Sequence, residues 1–139
     1  MKQSSGRLEI STRGKGLYEI TDRVVEWLRD STIRQGLLTV FVQHTSASVI
    51  IQENADPDVV EDLKTFFAKI APDEPRLYRH TVEGPDDMPA HIRAALTATQ
   101  VSIPISSGRP SLGTWQGIYL FEHRSASHRR NVVLHAIGE

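Results

Sequence analysis

The sequence predicts an α+β fold: mainly antiparallel or mixed sheets in a sandwich-like core, with about three short helices. Three observations carry this expectation. Runs of alternating or continuously apolar β-formers recur along the chain. Three stretches show helical apolar spacing behind a start signal. Most connections are too short for repeated parallel crossovers, which need a dozen or more residues. The 139 residues form a single domain, residues 1–139, large enough for a core without disulfides or a structural metal.

Composition narrows the function classes. With no cysteine, disulfides and thiolate metal sites are excluded. Sixteen basic and seventeen acidic residues give a net charge of -1. That balance offers no global field for nucleic acid or an anionic membrane. MKQSSGRLEI has no apolar segment of signal-peptide length, and no run could span a bilayer as a helix. A soluble cytoplasmic protein is the expectation.

Taken in order, Arg7 to Thr12 alternates and reads as a strand. Gly14-Lys15-Gly16 reads as a surface turn, without the spacing of a phosphate-binding loop. Thr21 caps a helix whose inward face is Val24, Val25 and Leu28, and Gly36 is its terminator. Leu37 to Val42 is a buried strand. Asp56-Pro57 opens a second helix, a side-chain cap followed by proline at the first position. Its apolar stripe is Val59, Val60, Leu63, Phe66, Phe67 and Ile70. Gly84-Pro85 is a turn, and Asp87 caps a third helix with Met88, Ile92, Ala95 and Leu96 inward. Val101 to Ile105 is an edge strand or strand end, because Pro104 donates no ladder hydrogen bond. Ile118 to Arg124 alternates, with Glu122 and Arg124 on one face and Phe121 and His123 on the other. Asn131 to Ile137 is the last strand, after a solvated basic turn of His128, Arg129 and Arg130.

The chemistry-bearing residues cluster at element ends. Gln43 to Asp58 delivers His44, Thr45 and Ser46 after a strand, then Glu53 and Asp56 before a helix; the alternative is a core strand, a turn and a cap. Asp87 and His91 lie four apart on one helical face, so the carboxylate can orient the imidazole or join it at a metal. Three imidazoles, His44, His80 and His91, sit in separate segments beside turns. Neutral imidazoles with a carboxylate suit zinc and related divalent ions, and three histidines leave one position open for water or substrate. A divalent ion, zinc or magnesium, is therefore expected at His44, His80 and His91, with Asp87 or Glu53 supporting or completing the set. Arg124 and the loop from Ser106 to Thr114 are candidates to hold a phosphate through a fork of donors and backbone N–H groups. His123 is a candidate acid or base if its strand face lines the pocket. No GxSxG elbow supports Ser46 or Ser106 as a nucleophile.

Three segments carry a resemblance. HTSASVIIQENADPDV, HTVEGPDDMPAHI and IPISSGRPSLGTWQGIYLFEHR closely resemble the YjbQ family, also called the secondary thiamine-phosphate synthase family. The resemblance covers nearly the whole chain. The family's shared polar positions match at His44, Thr45, Ser46, Glu53, Asn54, Asp56, His80, Asp87, His91, Gly113, Trp115, Gln116, Glu122, His123 and Arg124. It implies a small α+β sandwich assembled as a homotrimer. It also implies joining of a pyrimidine diphosphate to a thiazole phosphate with release of pyrophosphate. Thr45, Ser46, Gly113, Thr114, Gln116 and Arg124 would then serve the phosphorylated substrate, and His44, Glu53, Asp87 and His123 the reaction. The alternative is a binding or regulatory protein that holds a phosphorylated metabolite without turnover. The apolar strands Leu37 to Val42, Ile118 to Phe121 and Val132 to Ile137 add a hint of a partner subunit.

Overall fold

Alternation in the first residues builds a strand twice as long as its most regular part. In the computed structural model, which describes every residue from Met1 to Glu139, β1 spans Lys2–Arg13 and turns Leu8, Ile10 and Thr12 inward. We number the other strands β2 (Gly16–Glu19), β3 (Gly36–Val42), β4 (Ala47–Glu53), β5 (Gln100–Ser106), β6 (Arg109–Pro110), β7 (Gln116–Glu122) and β8 (Ser127–Gly138). They form a five-stranded sheet, ordered β1-β8-β3-β5-β6, and a three-stranded sheet, ordered β2-β7-β4. Every strand pair is antiparallel. The α+β expectation therefore holds in its purely antiparallel form.

The inward residues of both sheets meet in one core. Leu38, Val40 and Val42 of β3 and Val132, Leu134 and Ala136 of β8 face Ala47 and Val49 of β4 and Ile118 and Leu120 of β7. Helix α1 (Thr21–Ser31) seals this core with Val24 and Leu28. Thr21 is not its cap. It sits inside the first turn, where its hydroxyl donates to Glu19 and accepts the Ile118 N–H, tying α1 to β7. Gly36 does not end the helix either; Thr32 does, in the left-handed conformation at φ 62°. Gly36 opens β3 against Gly138, where a Cβ would overlap the Ile137 carbonyl.

Three further expectations are corrected. Gly16 belongs to a strand rather than a turn, and the third helix turns Ala90 and Ala94 inward, with Leu96 60% exposed. The basic turn at His128 to Arg130 is strand β8, and Arg130 is buried. Helix α2 (Pro57–Ile70) starts as expected, with Asp56 accepting the Asp58 N–H at 2.9 Å. Of its apolar stripe only Phe67 is buried, while Phe66 is 54% exposed. Periodicity reports that a helix has an apolar side, and not that another element covers it.

The second face of β7 decides what its side chains can do. Phe121 packs edge-on against Phe67 of α2, with ring centroids 5.3 Å apart. His123, just past β7, stacks 4.4 Å from Phe121 and is fully buried. Both faces of the strand are thus closed, one by the core and one by α2 and the end of α3 (Asp87–Leu96). No helix is long and apolar enough to cross a membrane.

Candidate metal centre

The turn at Gly84-Pro85, with Gly84 at φ 105°, delivers two adjacent acids at the start of α3. Neither caps the helix with its side chain; Asp86 holds the cap position and Asp87 the first turn. Both are drawn to Arg124, which leaves β7 beside them. The Arg124 Nε donates to Asp86 Oδ2 at 3.0 Å, Nη1 to Asp87 Oδ1 at 2.7 Å and Nη2 to the Glu83 carbonyl at 2.9 Å. The Ser125 N–H adds a bond to Asp86 Oδ2 at 2.8 Å. All three guanidinium nitrogens are thereby committed inside the protein. Arg124 acts here as a brace for the acids, using three of its five N–H donors.

The remaining oxygen of Asp87 faces two imidazoles. Its Oδ2 lies 2.6 Å from His80 Nε2 and 3.0 Å from His91 Nε2. Glu83 approaches His80 Nε2 at 3.6 Å. On the far side of His91, Nδ1 lies 2.9 Å from the Thr45 carbonyl. A carbonyl only accepts, so Nδ1 carries the hydrogen. In the neutral ring Nε2 then presents a lone pair towards a carboxylate oxygen. Two lone pairs facing at 3.0 Å are repulsive unless a proton or a cation stands with them. Burial alone would raise the Asp87 carboxyl; contacts with His80 and Glu83 and the Arg124 charge outweigh it and hold it at about 2. Asp87 is therefore an anion at neutral pH.

The donor set suits a divalent ion. His80, Glu83, Asp87 and His91 each offer one atom, all within 4.8 Å of one another. Two imidazole nitrogens with carboxylate oxygens match zinc and similar transition metals better than magnesium, which prefers an oxygen shell. The Thr45 carbonyl would fix the ring of His91, the usual support for a ligating histidine. His80 and His91 are part-exposed, whereas Asp87 is buried beneath them, so the group opens outward.

The other sequence candidates lie elsewhere. His44 is outside the cluster: its Nε2 accepts the Asn131 N–H at 2.8 Å, which makes Nδ1 the protonated nitrogen. Burial, with the Arg130 charge, lowers its basicity below the ordinary 6.5. Thr45 contributes its carbonyl rather than its hydroxyl. Ser46 is buried and accepts Arg130 Nη2 at 3.0 Å, so no nucleophile stands there. His123 bonds Ser48 at 2.9 Å, and burial drives its pKa to about 3. It is a neutral interior group that no substrate reaches in this structure. Glu53, Gly113, Thr114 and Gln116 gather at the opposite end of the smaller sheet. There Glu53 pairs with Gln116 in the ladder and Gln116 Oε1 accepts the Gly113 N–H at 2.7 Å. Seven-residue strands separate them from Arg124 by about 20 Å. The Ser106 to Thr114 loop includes the β5–β6 hairpin and also lies away from the acids.

Sequence reasoning missed Glu83, Asp86 and Arg130. The paired acids after Gly-Pro were a readable signal for Asp86. Nothing marks Arg130, which reaches from the larger sheet to Glu122 in the smaller one: Nε to Oε1 at 2.8 Å and Nη2 to Oε2 at 2.5 Å. Thr12 donates to the same carboxylate at 2.6 Å, as do the N–H groups of His123 and Arg124 at 3.0 and 3.1 Å. Glu122 thus sets the backbone that aims Arg124.

Comparison with known proteins agrees with this architecture. A family model described as UPF0047 protein YjbQ-like matches residues 6–139. UPF0047 protein sll1880 of Synechocystis sp. is 54% identical, over 99% of this chain and 94% of its own. UPF0047 protein YjbQ of Escherichia coli O157:H7 is 40% identical, over 95% and 96%. The crystal structure of a conserved hypothetical protein, TT1486, from Thermus thermophilus superposes with a TM-score of 0.85 at 33% identity, covering 95% of this chain and 99% of that one. With its length, its antiparallel sheets and its motif residues all accounted for, the chain belongs to the YjbQ-like UPF0047 family.

Proposed function

We propose that the protein is a metal-assisted enzyme acting on a phosphorylated small molecule at the His80–Asp87–His91 cluster. One observation carries the reading: His91, its Nδ1 turned to the Thr45 carbonyl, sets Nε2 3.0 Å from an ionised Asp87 oxygen, an arrangement that a divalent cation would satisfy. His80, His91, Asp87 and Glu83 would hold the ion, with His44 outside the set. When bound, the ion would neutralise charge on a phosphate or departing pyrophosphate. Arg124 keeps Asp87 oriented, and the Thr45 carbonyl keeps Nδ1 of His91 protonated. The reaction that the family resemblance supports is joining of a pyrimidine diphosphate to a thiazole phosphate.

The test is metal content of untagged protein, followed by thiamine-phosphate formation with and without zinc. Stoichiometric zinc, and activity lost in both His91→Ala and Asp87→Asn, is the expected result. No metal uptake in the parent protein would sink the metal reading. Metal uptake without turnover would favour a second reading, a protein that binds a phosphorylated metabolite. The absence of a reachable nucleophile at Ser46 or base at His123 supports that second reading.

A homotrimer is part of the proposal. Leu37 (42% exposed), Phe41 (43%) and Ile137 lie on the outer side of the larger sheet, where Leu37 pairs with Ile137. Such a patch is normally covered by another subunit. Ile118 to Phe121 is instead buried within the chain and offers no such surface. A sedimentation mass of one chain at micromolar concentration would reject the trimer.

A further inference from the structure

A cavity of about 200 Å³ lies between α2, α3, β7 and the β1–β2 turn. Its lining carries three cations, Lys15, Lys64 and Arg93, with the rings of Phe67 and Phe121, and no acid. The cations differ in how they are compensated. Lys15 is paired with Asp73. Lys64 has only Glu61, at 3.7 Å on the exposed side of α2. Arg93 has no carboxylate at all. It is 6% exposed, its Nη2 donates to the Ala71 carbonyl at 3.0 Å, and its Nε is buried without a partner. Asp73 and Tyr78 are the groups that favour its charge from a distance. An interior guanidinium with one hydrogen bond and no counterion is costly, because a buried charge needs pairing to offset its lost hydration. The other orphaned atom of the interior, His123 Nδ1, is on the adjoining element and adds no negative charge.

We propose that this cavity binds a small organic anion, a carboxylate or phosphate monoester with a compact aromatic body. The anionic end would take the place of the missing counterion at Arg93 and Lys64. The body would lie against Phe67 and Phe121, which already meet edge to face at 5.3 Å and offer an apolar wall. The volume is below that of drug-sized pockets, so the ligand is small. Gly16 adds no side chain to the lining, and a Cβ there would meet nothing within 4 Å. This site is separate from the His80–Asp87–His91 cluster and stands whether or not that cluster binds metal.

The experiment is a titration of the full chain with phenyl phosphate, benzoate and inorganic phosphate, followed by NMR of the Arg93 Nε–H and the Phe67 and Phe121 rings. Saturable shifts with phenyl phosphate or benzoate are expected, with inorganic phosphate weaker. Lys64→Glu reverses a surface charge and leaves the fold intact by circular dichroism; it should weaken binding by about tenfold or more, the scale of one charged hydrogen bond. Asp87→Asn should leave it unchanged. No saturable shift at millimolar ligand overturns the proposal, as does a Lys64→Glu variant that binds like the parent. Inorganic phosphate binding as tightly as phenyl phosphate overturns the assignment of an aromatic body.

Discussion

Two acid–arginine clusters stand within a few residues of each other at the end of β7, and they do opposite work. Glu122 and Arg130 are both buried, and every oxygen of Glu122 is occupied by Arg130, Thr12 and two backbone N–H groups. Asp87 and Arg124 satisfy one side only, leaving Oδ2 of Asp87 against two part-exposed imidazoles. The first cluster spans the two sheets and is closed. The second sits on a loop and helix start, and it opens outward. Residue types are nearly the same in both; the difference is whether any hydrogen-bonding capacity remains for something from outside. A saturated cluster can only hold structure, whereas an unsaturated one can hold a ligand.

The largest way to break this contrast is Glu122→Ala. It leaves Arg130 buried and unpaired, which costs about 3–5 kcal/mol. Asp87→Asn should cost less than about 2 kcal/mol, because Arg124 keeps Asp86 and the imidazoles keep access to water. Urea denaturation of the two variants measures both, and equal losses would erase the distinction.

Acid should act next, and on the closed region. Burial alone would raise Glu122, but bonds from Arg130 and Thr12 hold it below its ordinary 4.5. Its contribution is full above 4.5 and is lost as the pH falls through the lower folded value. His123 titrates at about 3 in the fold, against 6.5 when unfolded. Between those values the unfolded chain binds the proton and the folded chain does not, so stability falls as pH falls. The expected slope below pH 6.5 is on the order of 1 kcal/mol per pH unit. His123→Leu should flatten it between about pH 6.5 and about pH 5. A stability that is level from about pH 7 to about pH 5 in the parent protein contradicts this account.

The open cluster is sharpened by ligand measurements. Asp87→Asn should lower zinc affinity by about a hundredfold in chelator competition, with the fold retained. Arg124→Lys should have the smallest effect, about tenfold, because lysine cannot brace Asp86 and Asp87 at once. Unchanged affinity in Arg124→Lys would mean that Asp87 needs no brace.

Much of this was legible in the residues. The cap at Asp56, the strands at Leu37 to Val42 and Ile118 onward, and the closeness of Asp87 to His91 all follow from local rules, a side-chain cap, an apolar run and a four-residue helical repeat. Thr21 misled because a threonine before an apolar run signals a cap, yet here its hydroxyl accepts the Ile118 N–H of another element. His44 sits at a strand end beside hydroxyls, which resembles a ligand position. A backbone N–H from β8 occupies the very nitrogen a metal would use.

By itself the sequence determined what local chemistry determines: the α+β class with mainly antiparallel or mixed sheets, the cap of the second helix at Asp56, the closeness of Asp87 to His91, and the motifs of the YjbQ-like family. Tertiary structure alone decided which polar groups are spent. Arg130 looked like a solvated turn and is the buried tie between sheets; Arg124 looked like a phosphate clamp and braces two acids. The reason is that burial and hydrogen-bond saturation depend on which distant strands meet, here separations such as Thr12 to Glu122, and a one-dimensional pattern carries no record of those partners.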